Sequence, residues 1–272
     1  MKSTIGIIGA GNMGSSLIGG LIKNGYPAQN LWISDHGKEK LEKLHDKWGI
    51  QTTQDNLILS QKADTFVLAV KPKDMKALLL DLSDGLNTHC PLFISIAAGI
   101  TTQKIQNWLK NTNVPIIRAM PNTPALLGCG ITGLYAASTL NPALCQRAEE
   151  LLSAVGQTVW IPNEALMDVV TALSGSGPAY FFYVMESLIE GGVQLGLPLE
   201  TARKLTLYTA MGATQMALQD PEKLSELRRN VTSPGGTTEQ GMGVLQKGDL
   251  KTLFFNALKA ATEKGQALSK AF

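Results

Sequence analysis

A short apolar run, Thr4-Ile5-Gly6-Ile7-Ile8, leads straight into Gly9-Ala10-Gly11-Asn12-Met13-Gly14, and a helical pattern follows over 13–24. This succession constrains the chain more than any other feature, because strand, turn and helix start must each fit the next. The first glycine permits a tight turn, the second lets backbone approach a pyrophosphate, and the third lets helix and strand pack closely. The helix N-terminus then offers unpaired amides to the phosphates. Three glycines at this spacing are a weak signal alone. Behind a strand and ahead of a helix they read as a dinucleotide-binding loop, against the plainer alternative of a structural turn. Gly9, Gly11, Asn12, Met13 and Gly14 are the first candidate cofactor residues.

The alternation continues. Runs at 4–8, 31–34, 65–70, 92–96, 116–119, 131–136 and 158–161 read as strands. Those at 13–24, 38–48, 75–86, 102–110 and 142–155 read as helices, with Gly25 and Gly49 where helix C-caps belong. Such alternation argues for an α/β fold, a doubly wound and mainly parallel sheet covered on both faces. Past Pro162-Asn163 the strand signal disappears, and Pro198, Pro221 and Pro234 are expected just inside helix starts. The expected division is a dinucleotide-binding domain at 1–162 and an all-helical domain at 163–272. The second half carries long faces such as Ala179, Phe182, Tyr183, Glu186 and Ile189, which it would have trouble covering alone, so a homodimer is expected. A charged fraction of only 17% agrees with surface buried between subunits, although an Ala- and Gly-rich chain would give the same figure.

Other function classes are set aside. The net charge is +2 and no run of Lys or Arg forms a basic stripe, so nucleic acid is not an expected partner. No apolar stretch has the roughly 18 residues of a membrane span. The start of the chain lacks the pattern of a signal peptide, so a cytoplasmic protein is expected. Cys90, Cys129 and Cys145 match no metal spacing and read as reduced thiols, with no metal expected. The histidines, His36, His45 and His89, all lie in the first third, so the last 120 residues hold neither histidine nor cysteine. Chemistry located there must use hydroxyls, carboxylates, lysines or backbone groups.

Ligands of open α/β sheets sit beyond the carboxyl ends of strands. The run at 31–34 ends in Ser34 and Asp35, the latter 21 residues after Gly14. An acidic residue there bonds a ribose 2′-hydroxyl and repels a 2′-phosphate, which favours NADH. His36 and Lys38 offset part of that charge and leave NADPH open; Asp35 as the start of a plain turn is the alternative. Two further strands end in Ala69-Val70-Lys71-Pro72 and Ala97-Ala98-Gly99, whose small residues leave room for a planar ring. Another ends in Arg118-Ala119-Met120-Pro121-Asn122-Thr123-Pro124, stiff enough to floor a nicotinamide site. Each alone is ordinary loop chemistry; together they suit a cofactor crevice.

Two glycine-rich segments interrupt the helical half, Thr171-Ala172-Leu173-Ser174-Gly175-Ser176-Gly177-Pro178-Ala179-Tyr180 and Asn230-Val231-Thr232-Ser233-Pro234-Gly235-Gly236-Thr237-Thr238. Amides exposed at a helix start form an anion site that suits a small carboxylate. Two well-capped interhelical turns are the alternative, although the second segment has more glycine and hydroxyl than a turn requires.

On these segments the chain resembles the pyrroline-5-carboxylate reductase family. The likeness runs through residues 9–14, 69–72, 95–99, 118–124, 174–180 and 231–238 in order, the last being close to a family signature. The resemblance implies a Rossmann-type domain followed by a helical dimerisation domain, with dimers assembling further, up to a pentamer of dimers. It implies reduction of 1-pyrroline-5-carboxylate to L-proline, usually with NADPH. It also implies that Ser233, Gly236, Thr237 and Thr238 hold the substrate carboxylate, with Thr238 near the ring nitrogen. Glu164 and Asn230 are placed near the substrate, open to contribution from the partner subunit. Asn56, Val70, Lys71 and Ala97 are placed along the cofactor. Asp35-His36 departs from the neutral and basic residues many members carry there.

The lack of histidine in the second half agrees with that chemistry. Hydride attack on a carbonyl needs an acid to polarise it. A cyclic imine arrives already protonated, so its site needs orientation, a carboxylate anchor and exclusion of water. A β-hydroxyacid dehydrogenase, with the same two-domain plan, needs a lysine on the first long helix of its second domain, and residues 164–203 contain none. A non-catalytic nucleotide-binding protein is the alternative from another class.

Overall fold

The computed structural model describes every residue except 1, 2, 84, 87–89, 112, 220–223 and 272, so Pro221 and His89 lie outside the described residues. In chain order the first elements are β1 (Ile5–Ile8), α1 (Asn12–Lys23), β2 (Leu31–Ser34), α2 (Lys38–Trp48), β3 (Gln51–Thr53), α3 (Asn56–Ser60) and β4 (Thr65–Leu68). Then come α4 (Met75–Ser83), β5 (Leu92–Ser95), α5 (Thr102–Trp108), β6 (Ile116–Met120), β7 (Gly130–Ala136), α6 (Pro142–Leu152) and β8 (Gly156–Trp160).

The strands form one eight-stranded sheet in the order β3-β2-β1-β4-β5-β6-β7-β8. The pairs from β3 to β6 are parallel, β7 runs antiparallel to β6, and β8 is parallel to β7. Because parallel strands are buried on both faces, they read as unbroken apolar runs. Their side chains nonetheless alternate. Phe66 and Leu68 of β4 join a cluster with Phe93, Leu59, Met75, Leu79 and Ile105, under α3, α4 and α5. Val67, between them, joins Ile7, Ile33 and Ile94 on the opposite face, under Leu17 and Ile18 of α1 and Leu151 of α6. Phe66 and Phe93 stack at 5.0 Å between ring centroids.

The expected doubly wound sheet is therefore present, with differences at its margins. The strand β3 and the one-and-a-half-turn α3 were not expected. Gln51-Thr52-Thr53 is short and polar, and is held as a strand by its ladder to Trp32, Ile33 and Ser34 of β2. The expected helix at 102–110 ends at Trp108, and Lys110 turns left-handed with φ 52°. Residues 153–155 tighten into a 3-10 turn after α6.

Beyond the sheet come α7 (Met167–Val170), α8 (Gly177–Gln194), α9 (Leu199–Gln219), α10 (Leu224–Asn230), α11 (Thr237–Lys247) and α12 (Leu250–Ala271). Pro198 immediately precedes α9, and Pro234 lies in the turn ahead of α11, so both stand before rather than inside their helices. Residues 171–175 correct another expectation. They form a π-helical turn, with the Ser176 amide bonded to the Thr171 carbonyl at 2.8 Å. The first glycine-rich segment is thus wound into helix and does not present a row of free amides.

By contacts the chain divides into residues 1–176 with 261–272, and residues 177–260. The change in composition at 162/163 and this division at 176/177 differ because 164–176 pack on the sheet. A Cβ added at Gly133 of β7 would lie 2.6 Å from Val170. The end of α12 joins the same unit, with Gly265 facing Asp168 so closely that an added Cβ would stand 3.4 Å from it. In the other unit, Gly177 and Ala202 are buried, whereas Phe181, Phe182, Tyr183, Leu195, Leu218 and Phe255 are more than 60% exposed. Helices with that much uncovered apolar surface need a partner to cover it. Among the described residues, no helix is long and apolar enough to cross a membrane.

Candidate active site

The strand order reverses direction at β1, with β2 on one side and β4 on the other. The crevice above the carboxyl ends of β1 and β4 is the ligand position of such a sheet. The glycine loop lies there. Gly9 has φ +112°, and a Cβ on it would meet the Ala69 carbonyl oxygen at 2.6 Å. A Cβ on Gly14 would stand 2.1 Å from the Gly9 oxygen, so helix and strand cannot separate to admit one. Gly11 differs: an added Cβ meets nothing within 4 Å. Gly11 is also the N-cap of α1 and supplies no side-chain bond, so the first amides of the helix, at Asn12, Met13 and Gly14, have no intrahelical acceptor. Open space above unpaired amides is what a pyrophosphate requires.

Asp35 closes one side of the loop. Its Oδ2 accepts from the Ala10 amide at 2.8 Å and its Oδ1 from the Gly37 amide at 2.8 Å. Lys40 stands 3.9 Å away. Burial pushes the carboxyl up, but the Gly37 and Ala10 amides, with Lys40 and His36, outweigh it and hold Asp35 below the usual carboxylate range. The loop therefore carries a fixed negative charge on the β2 side, where Ser34 donates to Asn56 Oδ1 at 2.6 Å. Replacing Asp35 by Asn keeps one acceptor and removes the charge. We expect the ratio of NADPH to NADH affinity to rise about tenfold, well under the ~4 kcal/mol of two unit charges 4 Å apart near a surface. Paired titrations of both dinucleotides check this, and an unchanged ratio refutes it. With its folded pKa lowered, Asp35 adds stability above the ordinary carboxylate value of 3.8, lost as pH falls through the lowered one. Asp35→Asn should thus cost stability at neutral pH and less in acid.

On the other side of the crevice, Ala69, Val70, Lys71 and Pro72 leave β4, and Ala97, Ala98 and Gly99 follow β5. Ala97 and Gly99 are buried, Ala98 half-buried and Lys71 exposed. Gly99 has φ +75°.

Glu164 takes a position the sequence did not indicate. Its Oε1 accepts from the Thr102 amide at 2.7 Å and its Oε2 from the Thr102 hydroxyl at 2.8 Å. Arg118 reaches it at 3.6 Å and Asp168 at 3.0 Å, and the Arg118 side chain is 4% exposed. Arg118 was singled out only as part of a loop, and Asp168 and Thr102 not at all. The signal was present: Arg118 stands in Ile-Ile-Arg-Ala-Met and Asp168 in Leu-Met-Asp-Val-Val, each a lone charge in an apolar run.

In the helical unit, Asn230 ends α10 and the turn to α11 carries the remaining candidates. The Gly236 amide bonds the Ser233 carbonyl at 3.0 Å, and the Gly235 amide bonds Glu239 Oε2 at 2.8 Å. Gly236 caps α11 without a side-chain bond, so the Thr237 and Thr238 amides have no intrahelical acceptor. Ser233, Thr237 and Thr238 are exposed on the single chain, and Gly236 is half-buried. This turn can take a small carboxylate on two amides and neighbouring hydroxyls.

The comparisons bear on both halves. The family model described as pyrroline-5-carboxylate reductase dimerisation matches residues 164–268, and that of NADP oxidoreductase, coenzyme F420-dependent, matches 4–99. The pyrroline-5-carboxylate reductase of Pseudomonas aeruginosa is 46% identical over 98% of this chain and 97% of its own. The solved structure of the Coxiella burnetii enzyme of that name is 43% identical, with a TM-score of 0.93 over 98% of this chain and 99% of that one. The Plasmodium falciparum pyrroline carboxylate reductase, solved with NADP bound, is 30% identical with a TM-score of 0.86, covering 98% of each chain.

Proposed function

Since the chain belongs to the pyrroline-5-carboxylate reductase family, we propose how its own residues reduce 1-pyrroline-5-carboxylate to L-proline with NAD(P)H. The observation that carries this reading is the open face over Gly11, above helix-start amides that have no intrahelical acceptor and no side-chain cap among the described residues. The pyrophosphate lies on the amides of Asn12, Met13 and Gly14. The adenosine ribose lies toward Ser34, Asp35 and Asn56, and the nicotinamide half toward Ala69–Pro72 and Ala97–Gly99. Bound there, the reduced nicotinamide supplies a hydride.

The substrate carboxylate is held by the amides and hydroxyls of Ser233, Gly236, Thr237 and Thr238, with Asn230 and Glu164 beside the site. Thr238 bonds the ring nitrogen and so orients C5 toward the cofactor. The iminium already bears its proton; hydride addition at C5 converts C=N to CH–NH without an acid from the protein. That economy agrees with a last 120 residues free of histidine and cysteine. The enzyme is a homo-oligomer built on the helical region at 163–272, and we extend this to dimers arranged as a pentamer of dimers, working in the cytoplasm with Cys90, Cys129 and Cys145 as free thiols.

Initial rates with pyrroline-5-carboxylate and each dinucleotide test the reading, and an enzyme that oxidises neither NADH nor NADPH refutes it. In the same assay Thr238→Ala should lose about 10- to 100-fold in kcat/KM, the worth of a hydrogen bond to a charged partner. Full activity in that variant would remove Thr238 from its role.

A further inference from the structure

We infer that Glu164, clamped on Thr102 and backed by Arg118, is a positioning residue for the cofactor, acting through the segment that joins β5 to α5. This inference rests on the proposed placement of the nicotinamide half beside Ala97, Ala98 and Gly99.

The segment from Ala97 to Thr102 has few means of holding its own shape. Gly99 is in the left-handed region at φ +75°, and the apolar anchors are the small Ala97 and the fully buried Ile100, both in the α3–α5 cluster. Its far end is fixed from outside by Glu164, both of whose carboxylate oxygens are engaged by the Thr102 amide and hydroxyl. Thr101 caps the Lys104 amide at 3.3 Å. Two amides at the start of α5, those of Thr102 and Lys104, are thereby used within the protein, and the strand-end segment is tied down at that end.

The clamp is itself braced. Arg118 is buried on β6, and its guanidinium lies between Glu164 at 3.6 Å and Asp168 at 3.0 Å. One end of the assembly is therefore anchored in the sheet. The end of α12 supports the same segment from another side: Lys104 donates to the Ser269 carbonyl, and a Cβ on Gly99 would meet the Ser269 amide nitrogen at 3.4 Å. With one bond from Thr102 on each oxygen and Arg118 beside Oε1, the Glu164 carboxylate is held by the protein even though it stands beside the proposed substrate site. Loosening Thr102 is transmitted over three residues to Gly99, and small displacements at a cofactor floor are costly to rate.

The test is made on the full-length oligomer with Glu164→Ala, Glu164→Gln and Thr102→Val. Each is titrated with NADH and NADPH by fluorescence and assayed for kcat and both KM values, with melting temperature recorded alongside. Glu164→Ala should weaken dinucleotide binding about tenfold and lower kcat, with the KM for pyrroline-5-carboxylate changed less than about twofold. Glu164→Gln retains an acceptor for the Thr102 amide and should recover much of the loss. Thr102→Val, which removes only the hydroxyl bond, should shift the same quantity in the same direction by less, and the double variant should fall short of additivity. A raised KM for the pyrroline with unchanged dinucleotide affinity would mean that Glu164 contacts substrate, and would overturn the inference. So would unchanged binding in both Glu164→Ala and Thr102→Val. The titration needs no pyrroline substrate, so a wrong substrate leaves it readable. A wild-type enzyme that bound neither dinucleotide would instead refute the functional reading and this inference with it.

Discussion

Gly11→Asp is expected to leave the fold intact and to abolish dinucleotide binding. The backbone of Gly11, at φ −75° and ψ −175°, suits any residue, and nothing lies within 4 Å of an added Cβ. Aspartate is a favoured N-cap, so it should accept an amide of α1 and hold or slightly raise stability. The same carboxylate then fills the space over the amides of Asn12, Met13 and Gly14 and faces the pyrophosphate. Two unit charges about 4 Å apart near a protein surface repel by ~4 kcal/mol, about a thousandfold in affinity. Fluorescence titration against a thermal melt separates the two effects. Binding within about threefold of wild type would mean that the phosphates lie elsewhere.

Arg118→Met should give the largest loss of stability of any single change considered for this chain. The side chain is 4% exposed and its partners Asp168 and Glu164 are 11% and 20% exposed. Methionine fills the volume but leaves carboxylates facing one another without a cation. Breaking a buried pair from one side costs about 3–5 kcal/mol, or roughly 10 °C in melting temperature for a unit of this size. Adding Asp168→Leu removes one orphaned charge and should restore part of the loss, which a simple packing defect would not do. Melts must be compared at one protein concentration, because association contributes to stability. A loss below about 1 kcal/mol would mean that water already solvates the cluster.

Several parts of the molecule were legible in the residues because their causes are local. The glycine loop announces itself: only glycine fits where a Cβ would stand 2.1 Å from the Gly9 oxygen, and the strand before it is an apolar run. Buried parallel strands such as Thr65–Leu68 need no partner to be recognised. The turn at Ser233–Thr238 was read from its excess of glycine and hydroxyl, and it does leave the first amides of α11 without an intrahelical acceptor or a side-chain cap from Gly236. The superficially similar Thr171–Gly175 does not, because whether a glycine-rich stretch unwinds or tightens into a π turn depends on what packs beside it.

The residues by themselves determined the class of fold, the glycine turn between β1 and α1, and the place after β8 where strands give way to helices. Each follows from neighbours within a few positions, where sterics and backbone bonding act directly. Only the tertiary structure decided that Asp35 braces the Ala10 amide, that Glu164 holds Thr102 across 62 positions, and that Arg118 stands between two carboxylates. A charged side chain records in sequence that a partner is required once it is buried, but Coulomb attraction and desolvation act through space. Which partner it finds is settled by the packing that brings distant segments together.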